Sequence, residues 1–350
     1  MKRVLVVATS RKTRGGITSV IKAHETGEQW KKFHCHWVQT HRDGPTWRKL
    51  VYLGLAWIDF LFRLPFCELV HIHSSAGASA KRKTPFARLA KMMGKKVIVH
   101  FHPPTERVLV VDKWRIPTYK LFSFADKILV LSPRWEKLIR EAFSNENFGI
   151  EVLYNPCPIV HRLRMKDDSQ YILFAGTICE RKGYQWLLKA FAKVCRLHPE
   201  WKLKFAGNGE IAKAKELQAT LGIPKEQVEY LGWISGIIKD EVFNNATIYC
   251  LPSWGEGFPM GVLDAMAYGV PVVTTPVGGI EDVLVDKQDC MIAPVGDVDK
   301  LAQSLNTLMK HADVREQLVH MADSHVNKEF NITNINNQLD KIYSDLLCHS

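Results

Sequence analysis

The stretch LPSWGEGFPMGVLDAMAYGVPVVTTPVGGIEDVL, residues 251–284, has the pattern of a strand end, a loop, a helix and a second strand. Its apolar run at 270–275 predicts a buried strand. Pro259 suits the start of the helix because proline has no backbone N–H that needs an acceptor, and Gly269 suits its end. Strands and helices that alternate in this way are typical of a parallel sheet covered by helices.

Two carboxylates bracket the start of this helix. Glu256 precedes it and Asp264 lies within it, so they are separated by roughly 7 Å along the axis at about 1.5 Å per residue. The backbone N–H groups of Met260, Gly261 and Val262 are expected to lack acceptors in the first turn, where the helix dipole favours an anion. We therefore expect a ligand with a central pyrophosphate, whose two flanking sugars bind the two acids, as in a nucleotide sugar.

The same alternation of short β-branched runs and helical segments fills the rest of the chain, so each half predicts a doubly wound parallel sheet. Ligands of such sheets bind at the carboxyl ends of the strands, and two facing sheets would place a site in the cleft between them. The predicted strands are 4–8, 33–39, 69–73, 97–101, 128–131 and 150–154 in the first half, and 171–175, 202–206, 228–231, 248–251, 270–275 and 290–293 in the second.

The 350 residues exceed what one hydrophobic core usually organises. We predict an N-terminal domain at 1–160 and a C-terminal domain at 165–330, joined at 155–170, where prolines interrupt the pattern and charges follow. A C-terminal helix at about 331–350 is expected to pack back on the first domain.

The bulk composition favours a cytoplasmic protein. The sequence has no run of 18 apolar residues, and its N-terminus lacks the pattern of a cleavable leader. The eight cysteines are scattered without a C-x-x-C pair, which indicates reduced packing residues rather than a metal site or a disulfide framework.

The charge is distributed unevenly. Residues 1–165 hold 29 Lys and Arg against 12 Asp and Glu, a net charge of +17, while the remainder has a net charge of −6. A basic half is compatible with nucleic acid, with an anionic membrane surface, with a phosphorylated substrate, or with solubility alone.

Two glycine-containing loops are candidate anion sites. Gly15 and Gly16 precede the first helix, where backbone N–H groups can approach a phosphate, although a tight turn explains them equally well. Arg181 and Lys182 stand between a strand and a helix, and Gly183 keeps that turn open. Adjacent cations at such a position can neutralise a leaving diphosphate.

Taken together, these motifs resemble the retaining, sugar-nucleotide-dependent glycosyltransferases of family 4, which have the GT-B fold of two facing Rossmann-like domains. The resemblance covers nearly the whole chain, and its most specific part is the E-x7-E signature, here Glu256-GFPMGVL-Asp264. The supporting motifs, in chain order, are the Gly-Gly pair at 15–16, LVHIHSS at 69–75, VIVHFHPP at 97–104, LYNP at 153–156 and the loop from Gly176 to Gly183.

The resemblance implies a role for each matching residue. Lys182 would bind the donor diphosphate, Glu256 the donor sugar and Asp264 the ribose, while Gly16 would approach the phosphates from the other domain. His102 stands where the family places a histidine near the donor sugar and the acceptor. Glu256, Lys182 and His102 are therefore the predicted catalytic residues.

The chain departs from the family pattern at two positions. Asp264 stands where the family usually has Glu, which shortens the side chain by one methylene. Thr177 stands where the family often has Arg, and Arg181, beside Lys182, is expected to supply that charge to the donor.

The resemblance also implies the reaction. The anomeric configuration of the sugar would be retained, with the leaving phosphate acting as base on the same face. No cofactor and no metal are expected, because cations and a helix start would stabilise the departing nucleoside diphosphate. The sequence agrees, since it has no D-x-D pair in a suitable loop.

Two segments of the first half point to a membrane acceptor. Residues 47–66 are apolar and aromatic but interrupted by Asp59 and Arg63, so they either lie in a membrane interface or pack on the first sheet. Residues 81–96 hold seven basic residues and no acid, which is typical of contact with anionic lipid or a phosphate-bearing acceptor. We expect a lipid-linked saccharide acceptor in bacterial capsule or O-antigen assembly, at the inner face of the cell membrane.

Three other classes compete with this interpretation. A nucleic-acid-binding protein would have basic residues, but it gives no reason for the Glu256 and Asp264 loop. A two-domain dehydrogenase would need a G-x-G-x-x-G loop, which the first glycine loop lacks. A nucleotide-sugar epimerase of the same fold is the closest alternative.

Overall fold

The computed structural model describes residues 2–162 and 170–348, and it divides into two compact units. Unit 1 comprises Met1–Pro156 and Asn331–Ser350, and unit 2 comprises Cys157–Phe330. Each unit contains one six-stranded sheet in which all pairings are parallel, as the sequence predicts. The predicted linker at 155–170 and the predicted start of the second domain at 165 fall partly or wholly on residues 163–169, which lie outside the described residues.

The sheet of unit 1 has the order β2-β1-β3-β4-β5-β6. Its central strands are buried because helices cover them, and the near-continuous Val, Ile and Leu of these runs fit that environment. The strands are β1 Val4–Ala8, β2 His36–Gln39, β3 Leu69–Ser74, β4 Lys96–Phe101, β5 Lys127–Val130 and β6 Ile150–Val152. The helices are α1 Gly16–His24, α2 Glu28–Lys32, α3 Thr46–Arg63, α4 Ala78–Met92, α5 Asp112–Phe122 and α6 Pro133–Ala142, with 3₁₀ turns at Leu64–Phe66 and Glu106–Leu109.

The sheet of unit 2 has the order β12-β11-β10-β7-β8-β9. Its strands are β7 Tyr171–Ala175, β8 Lys202–Ala206, β9 Val228–Gly232, β10 Ile248–Leu251, β11 Val272–Thr274 and β12 Met291–Ile292. Its helices are α7 Tyr184–Val194, α8 Ile211–Thr220, α9 Ile237–Asn244, α10 Met260–Ala267, α11 Ile280–Val283, α12 Val298–Lys310 and α13 Ala312–His325, with 3₁₀ turns at Glu180–Lys182 and Lys225–Gln227 and a π-helical turn at Val326–Phe330.

The last helix returns to unit 1. Helix α14, Ile332–Cys348, contributes Leu339 and Tyr343 to a core cluster that also contains Val6 of β1 and Ile98 of β4. Apolar residues recur along one side of α14, and burying that side on the sheet joins the two ends of the chain in one core.

The strand predicted at 33–39 is shorter than expected. Phe33 caps the end of α2, and His34 has a positive φ of 42°, so the chain turns there before β2 begins at His36. Backbone bonds from Phe33 and Cys35 back to α2 hold this turn. The strands predicted at 150–154, 270–275 and 290–293 also lose residues at their ends.

The strand orders fix where each sheet can bind a ligand. In unit 1 the order reverses between β1 and β3, and in unit 2 it reverses between β7 and β10. At such a switch point the connections leave in opposite directions and open a crevice at the carboxyl ends of the two strands. The loops that follow β7 and β10 are therefore the first place to look in unit 2.

Candidate active site

The loops that follow β7 and β10 meet through charged side chains. Lys182 Nζ lies 2.8 Å from Glu256 Oε1, and Arg181 Nη1 lies 3.3 Å from the same oxygen. Ser253 Oγ donates a third bond to it at 2.9 Å. The structure thus brings three predicted residues, Arg181, Lys182 and Glu256, to the switch point of unit 2.

The backbones of the two loops are in direct contact. Trp254 N–H donates to the carbonyl of Arg181 at 2.9 Å. Gly183 has a φ of +72°, and a Cβ there would lie 1.9 Å from the carbonyl oxygen of Pro252. A side chain at position 183 would therefore separate the loops, and glycine is required for Lys182 to reach Glu256.

The site holds an ionised carboxylate and an excess of positive charge. Burial raises the pKa of Glu256, but Lys182 and Arg181, with the hydrogen bonds from Lys182 and Ser253, outweigh it and hold the pKa below its usual value. Two cations therefore face one anion, which suits a diphosphate. All three contacts go to Oε1, and within the described chain no protein group bonds Oε2, which leaves that oxygen for a sugar hydroxyl.

The helix after Glu256 starts at Met260, with Pro259 as its N-cap residue. The expectation for Val262 is corrected, because its N–H donates to the Pro259 carbonyl at 3.1 Å. Among the described residues, no acceptor is found for the N–H groups of Met260 and Gly261. These two donors remain for an anion at the helix start.

Asp264 lies on α10 and forms an ion pair that the sequence did not predict. Lys239 Nζ of α9 lies 2.8 Å from Asp264 Oδ2. Burial raises the pKa of Asp264, and Lys239 opposes that rise without cancelling it.

The two predicted residues of unit 1 lie at the carboxyl ends of its strands. Gly16 is exposed and is the first residue of α1, and Gly15 before it has a φ of +150°. His102 directly follows β4, and its Nε2 lies 3.0 Å from His73 Nδ1. The predicted roles of Gly16 and His102 stay predictions.

The structure also shows polar groups that sequence reasoning missed. His24 and His100 are fully buried near His73, with ring centroids 6.4 Å and 4.8 Å from its ring. Lys83 is buried as well, and its Nζ donates to the His73 carbonyl and to Ser79 Oγ. The alternation of His100 with His102 on β4 was a signal that could have identified His100.

Comparison with known sequences finds a family match for most of the second half of the chain. Residues 169–311 match the family described as glycosyl transferases group 1. An uncharacterized glycosyltransferase of Haemophilus influenzae is 27% identical over 203 residues, which are 57% of this chain and 56% of that protein, so the match spans about half of that relative. A phosphatidyl-myo-inositol mannosyltransferase of Mycolicibacterium smegmatis is 24% identical over 311 residues, 86% of this chain and 75% of that protein.

Comparison with solved structures addresses the fold. A sucrose-phosphate synthase from Thermosynechococcus elongatus superposes with a TM-score of 0.83 at 16% identity, covering 100% of both chains. Anabaena HepE in complex with UDP-glucose superposes with a TM-score of 0.76 at 16% identity, covering 99% of this chain and 100% of that one. With the two parallel sheets, these likenesses confirm the predicted fold class, GT-B with two Rossmann-like units.

Proposed function

We propose that this chain, whose residues 169–311 are a glycosyl transferases group 1 domain, is a retaining glycosyltransferase that moves a sugar from a nucleotide-sugar donor to an acceptor hydroxyl. The observation that carries the proposal is the Lys182–Glu256 pair at the switch point of unit 2. It places a net positive charge and a carboxylate with one open oxygen at the end of the sheet where ligands of this fold bind.

Each group of the site has a proposed part in binding the donor. Lys182 and Arg181 neutralise the diphosphate, and Glu256 accepts a hydrogen bond from the transferred sugar through Oε2. The N–H groups at the start of α10 donate to a phosphate oxygen, and Asp264 accepts from the ribose hydroxyls.

The proposed chemistry follows from that arrangement. Charge develops on the leaving diphosphate as the glycosidic bond breaks, and the two cations stabilise it without reorganising. The leaving phosphate takes the proton of the attacking hydroxyl on the same face, so the configuration is retained. We propose that no metal is required for this step.

A thermal-stability screen tests the donor class. Sugars linked to UDP, GDP, ADP and other nucleoside diphosphates are added separately, with short single-stranded and duplex nucleic acids as competitors from another class. We expect one nucleotide series to raise the melting temperature of the wild type and of Lys189→Ala, an exposed lysine on α7, but not of Lys182→Ala. Stabilisation by nucleic acid alone, or by no nucleotide sugar, would exclude the proposal.

The proposed location of the acceptor is argued from the exposed surface of helix α3. The helix buries only Ala56 and Phe60 fully, while Trp57 stacks on Phe86 of α4 at 4.0 Å between ring centroids. One side of α3 therefore packs on the domain, and the other exposes a continuous set of large apolar side chains: Trp47, Leu50, Val51, Leu55, Ile58, Leu61 and Phe62, followed by Phe66. Exposed apolar patches of this kind mark interaction surfaces.

The basic run at 81–96 contributes less than its composition suggests. Lys83 is fully buried, and Lys91 pairs with Asp126 at 2.9 Å. The seven basic residues therefore do not all face solvent, because the helical period of α4 turns Lys83 inward. Lys81 and Arg88 are exposed and remain the candidates for lipid phosphates.

We infer that the apolar side of α3 inserts into a membrane interface, with unit 1 bound peripherally at the inner face of the cell membrane. No helix among the described residues is long and apolar enough to cross a bilayer. A lipid-linked saccharide, as in bacterial surface polysaccharide assembly, is the acceptor that this surface would present to the enzyme. The lipid named for the mycobacterial relative supports an acceptor of this class.

Flotation with liposomes separates the two contributions. We expect binding to anionic vesicles that weakens with salt, because contacts of exposed charges are screened over about 8–10 Å. Lys81→Gln with Arg88→Gln should remove the salt-sensitive part, and Ile58→Glu with Phe62→Glu the salt-resistant part. Leu197→Glu, an exposed apolar residue of unit 2, should bind like the wild type. Flotation with neither kind of vesicle would contradict membrane docking, and equal flotation with neutral and anionic vesicles would exclude the contribution of Lys81 and Arg88.

A further inference from the structure

One face of the unit 1 sheet changes from apolar residues to imidazoles toward the carboxyl ends of its strands. Leu69, His71 and His73 share this face on β3, and Ile98 and His100 share it on β4, with His102 next in the alternation. His73 and His100 are opposite each other in the parallel register. The sheet therefore concentrates several metal-ligating side chains in the interior of unit 1.

Three of these residues form a compact group. A ring nitrogen from each of His71, His73 and His100 lies within 4.8 Å of the other two. All three side chains are buried, with at most 1% of their surface exposed. Buried imidazoles at this spacing are the commonest protein ligands for transition metals.

The hydrogen bonding of the group is incomplete. Neither ring nitrogen of His100 has a partner in the described chain, and Nε2 of His71 has none. A buried polar group without a partner is destabilising and rare in folded proteins, so these atoms point to a missing ligand.

The Nδ1 atoms of His71 and His73 have hydrogen-bond partners, and such bonds would fix the orientation of the two rings as metal ligands. His71 Nδ1 lies 2.6 Å from Tyr343 Oη, and His73 Nδ1 lies 3.0 Å from His102 Nε2. A histidine that binds a metal through one nitrogen usually donates the other N–H to an acceptor, which fixes the ring. Tyr343 and His102 provide these acceptors and leave the Nε2 atoms of His71 and His73 as the ligating atoms.

The charge state of the three histidines also suits metal binding. Burial lowers the pKa of His71, His73 and His100 well below the usual value, so the rings are neutral, which is the form that binds metal. Lys83 is the neighbouring cation, and burial likewise lowers the pKa of its ammonium well below the usual value. A bound dication would further favour the neutral amine.

We propose that His71, His73 and His100 bind one transition-metal ion of the zinc class in the interior of unit 1. Zinc–imidazole bonds of about 2.0–2.1 Å place tetrahedral ligand atoms roughly 3.4 Å apart, so the ion draws the three rings together. Its role is structural: it binds Nε2 of His71 and one of the two unpaired nitrogens of His100, and it joins β3 to β4. The proposal does not depend on the proposed glycosyl transfer.

Co²⁺ is the probe for this site because its absorption spectrum reports nitrogen coordination. The full chain is unfolded with a chelator and refolded with or without Co²⁺, since a buried site is loaded during folding. Bound cobalt is counted by native mass spectrometry, and zinc is then added as a competitor. We expect one ion per chain, a visible tetrahedral d–d spectrum and displacement by Zn²⁺.

Three variants locate the ion. His100→Leu replaces a ligand with an apolar side chain that suits the buried position, and it should lose the stoichiometric ion while keeping the wild-type circular dichroism. Tyr343→Phe keeps all three ligands but removes an acceptor, and its affinity for Co²⁺ should fall by about 10-fold or more. His311→Ala, an exposed histidine in unit 2, should bind like the wild type.

Two results would overturn the proposal. The first is a wild-type chain that refolds without retaining Co²⁺ or Zn²⁺. The second is full cobalt binding by His100→Leu, which would assign the ion to cysteines or to surface histidines instead.

Discussion

Unit 1 and unit 2 have similar parallel sheets, but the buried polar side chains at their strand ends differ in charge state. At the strand ends of unit 1, His73 and His102 are neutral imidazoles that bond each other. At the switch point of unit 2, Glu256 is an ionised carboxylate held by Lys182 and Arg181. The fold sets where such groups gather, and the residue types decide whether they are kept neutral by desolvation or kept charged by partners.

The largest expected difference is in the response of the metal-free protein to acid. Burial lowers the pKa of His24 to about 4 and that of His102 to about 3, and it lowers the pKa of His71, His73 and His100 well below the usual value. The unfolded chain takes up these protons first, so the stability they contribute is complete above about pH 6.5 and is lost as the pH falls toward 4. For His24 and His102 the loss amounts to about 1.4 kcal/mol per pH unit for each group between about pH 6.5 and 4.

Glu256 also loses its contribution as the pH falls, but it does so at lower pH than the histidines. Its folded pKa lies below the usual value, so its contribution is present above about pH 4.3 and persists at pH 5. Hydrogen-exchange mass spectrometry at pH 7 and pH 5, corrected for intrinsic exchange rates, should show lost protection in unit 1 peptides and retained protection in unit 2. His100→Leu should reduce the pH dependence of unit 1. An equal loss of hydrogen-exchange protection in both units at pH 5 would contradict the expected difference between them.

The next effect concerns catalysis in unit 2. Lys182→Ala should lower donor turnover by ~100-fold or more, because it removes a charge that stabilises the leaving diphosphate. Lys189→Ala serves as the matched control on the following helix and should leave turnover unchanged. Near-normal turnover by a correctly folded Lys182→Ala would remove this residue from the site.

A smaller effect is expected at Asp264. Asp264→Asn should weaken nucleoside diphosphate binding by about 1–3 kcal/mol, the range for a lost hydrogen bond to a charged group. Lys239→Met should weaken it in the same direction, because Lys239 pairs with that carboxylate. Asp299→Asn, at an exposed carboxylate on α12, is the control. Calorimetry that finds unchanged affinity for Asp264→Asn would mean that the ribose is held elsewhere.

Much of the fold follows from local sequence pattern. The runs at 4–8, 171–175, 202–206 and 248–251 match their strands in full. Three of them are nearly continuous apolar segments, as buried parallel strands are, and the run at 202–206 alternates lysines with apolar residues. The position of Lys182 and Glu256 at one edge of the sheet was also predictable, since both follow parallel strands, whereas their direct contact depends on the adjacency of β7 and β10.

The remaining features depend on contacts between distant parts of the chain. Lys239 lies on the connection that returns from the edge strand β9 to β10, and the sequence does not reveal the strand order that brings it to Asp264. His24 bonds Asn336, more than 300 residues away. Lys83 is buried by the way α4 packs, whereas its neighbours in sequence indicated a solvated basic run.

In the proposed donor complex, Glu256 holds the transferred sugar while Lys182 holds the diphosphate. The most direct test is calorimetric titration of the wild type and Glu256→Gln with the nucleoside diphosphate and with its nucleotide sugar. We expect Glu256→Gln to lose the additional affinity conferred by the sugar and to bind the bare diphosphate nearly as the wild type does. An equal loss of affinity for both ligands, or no loss for either, would contradict it.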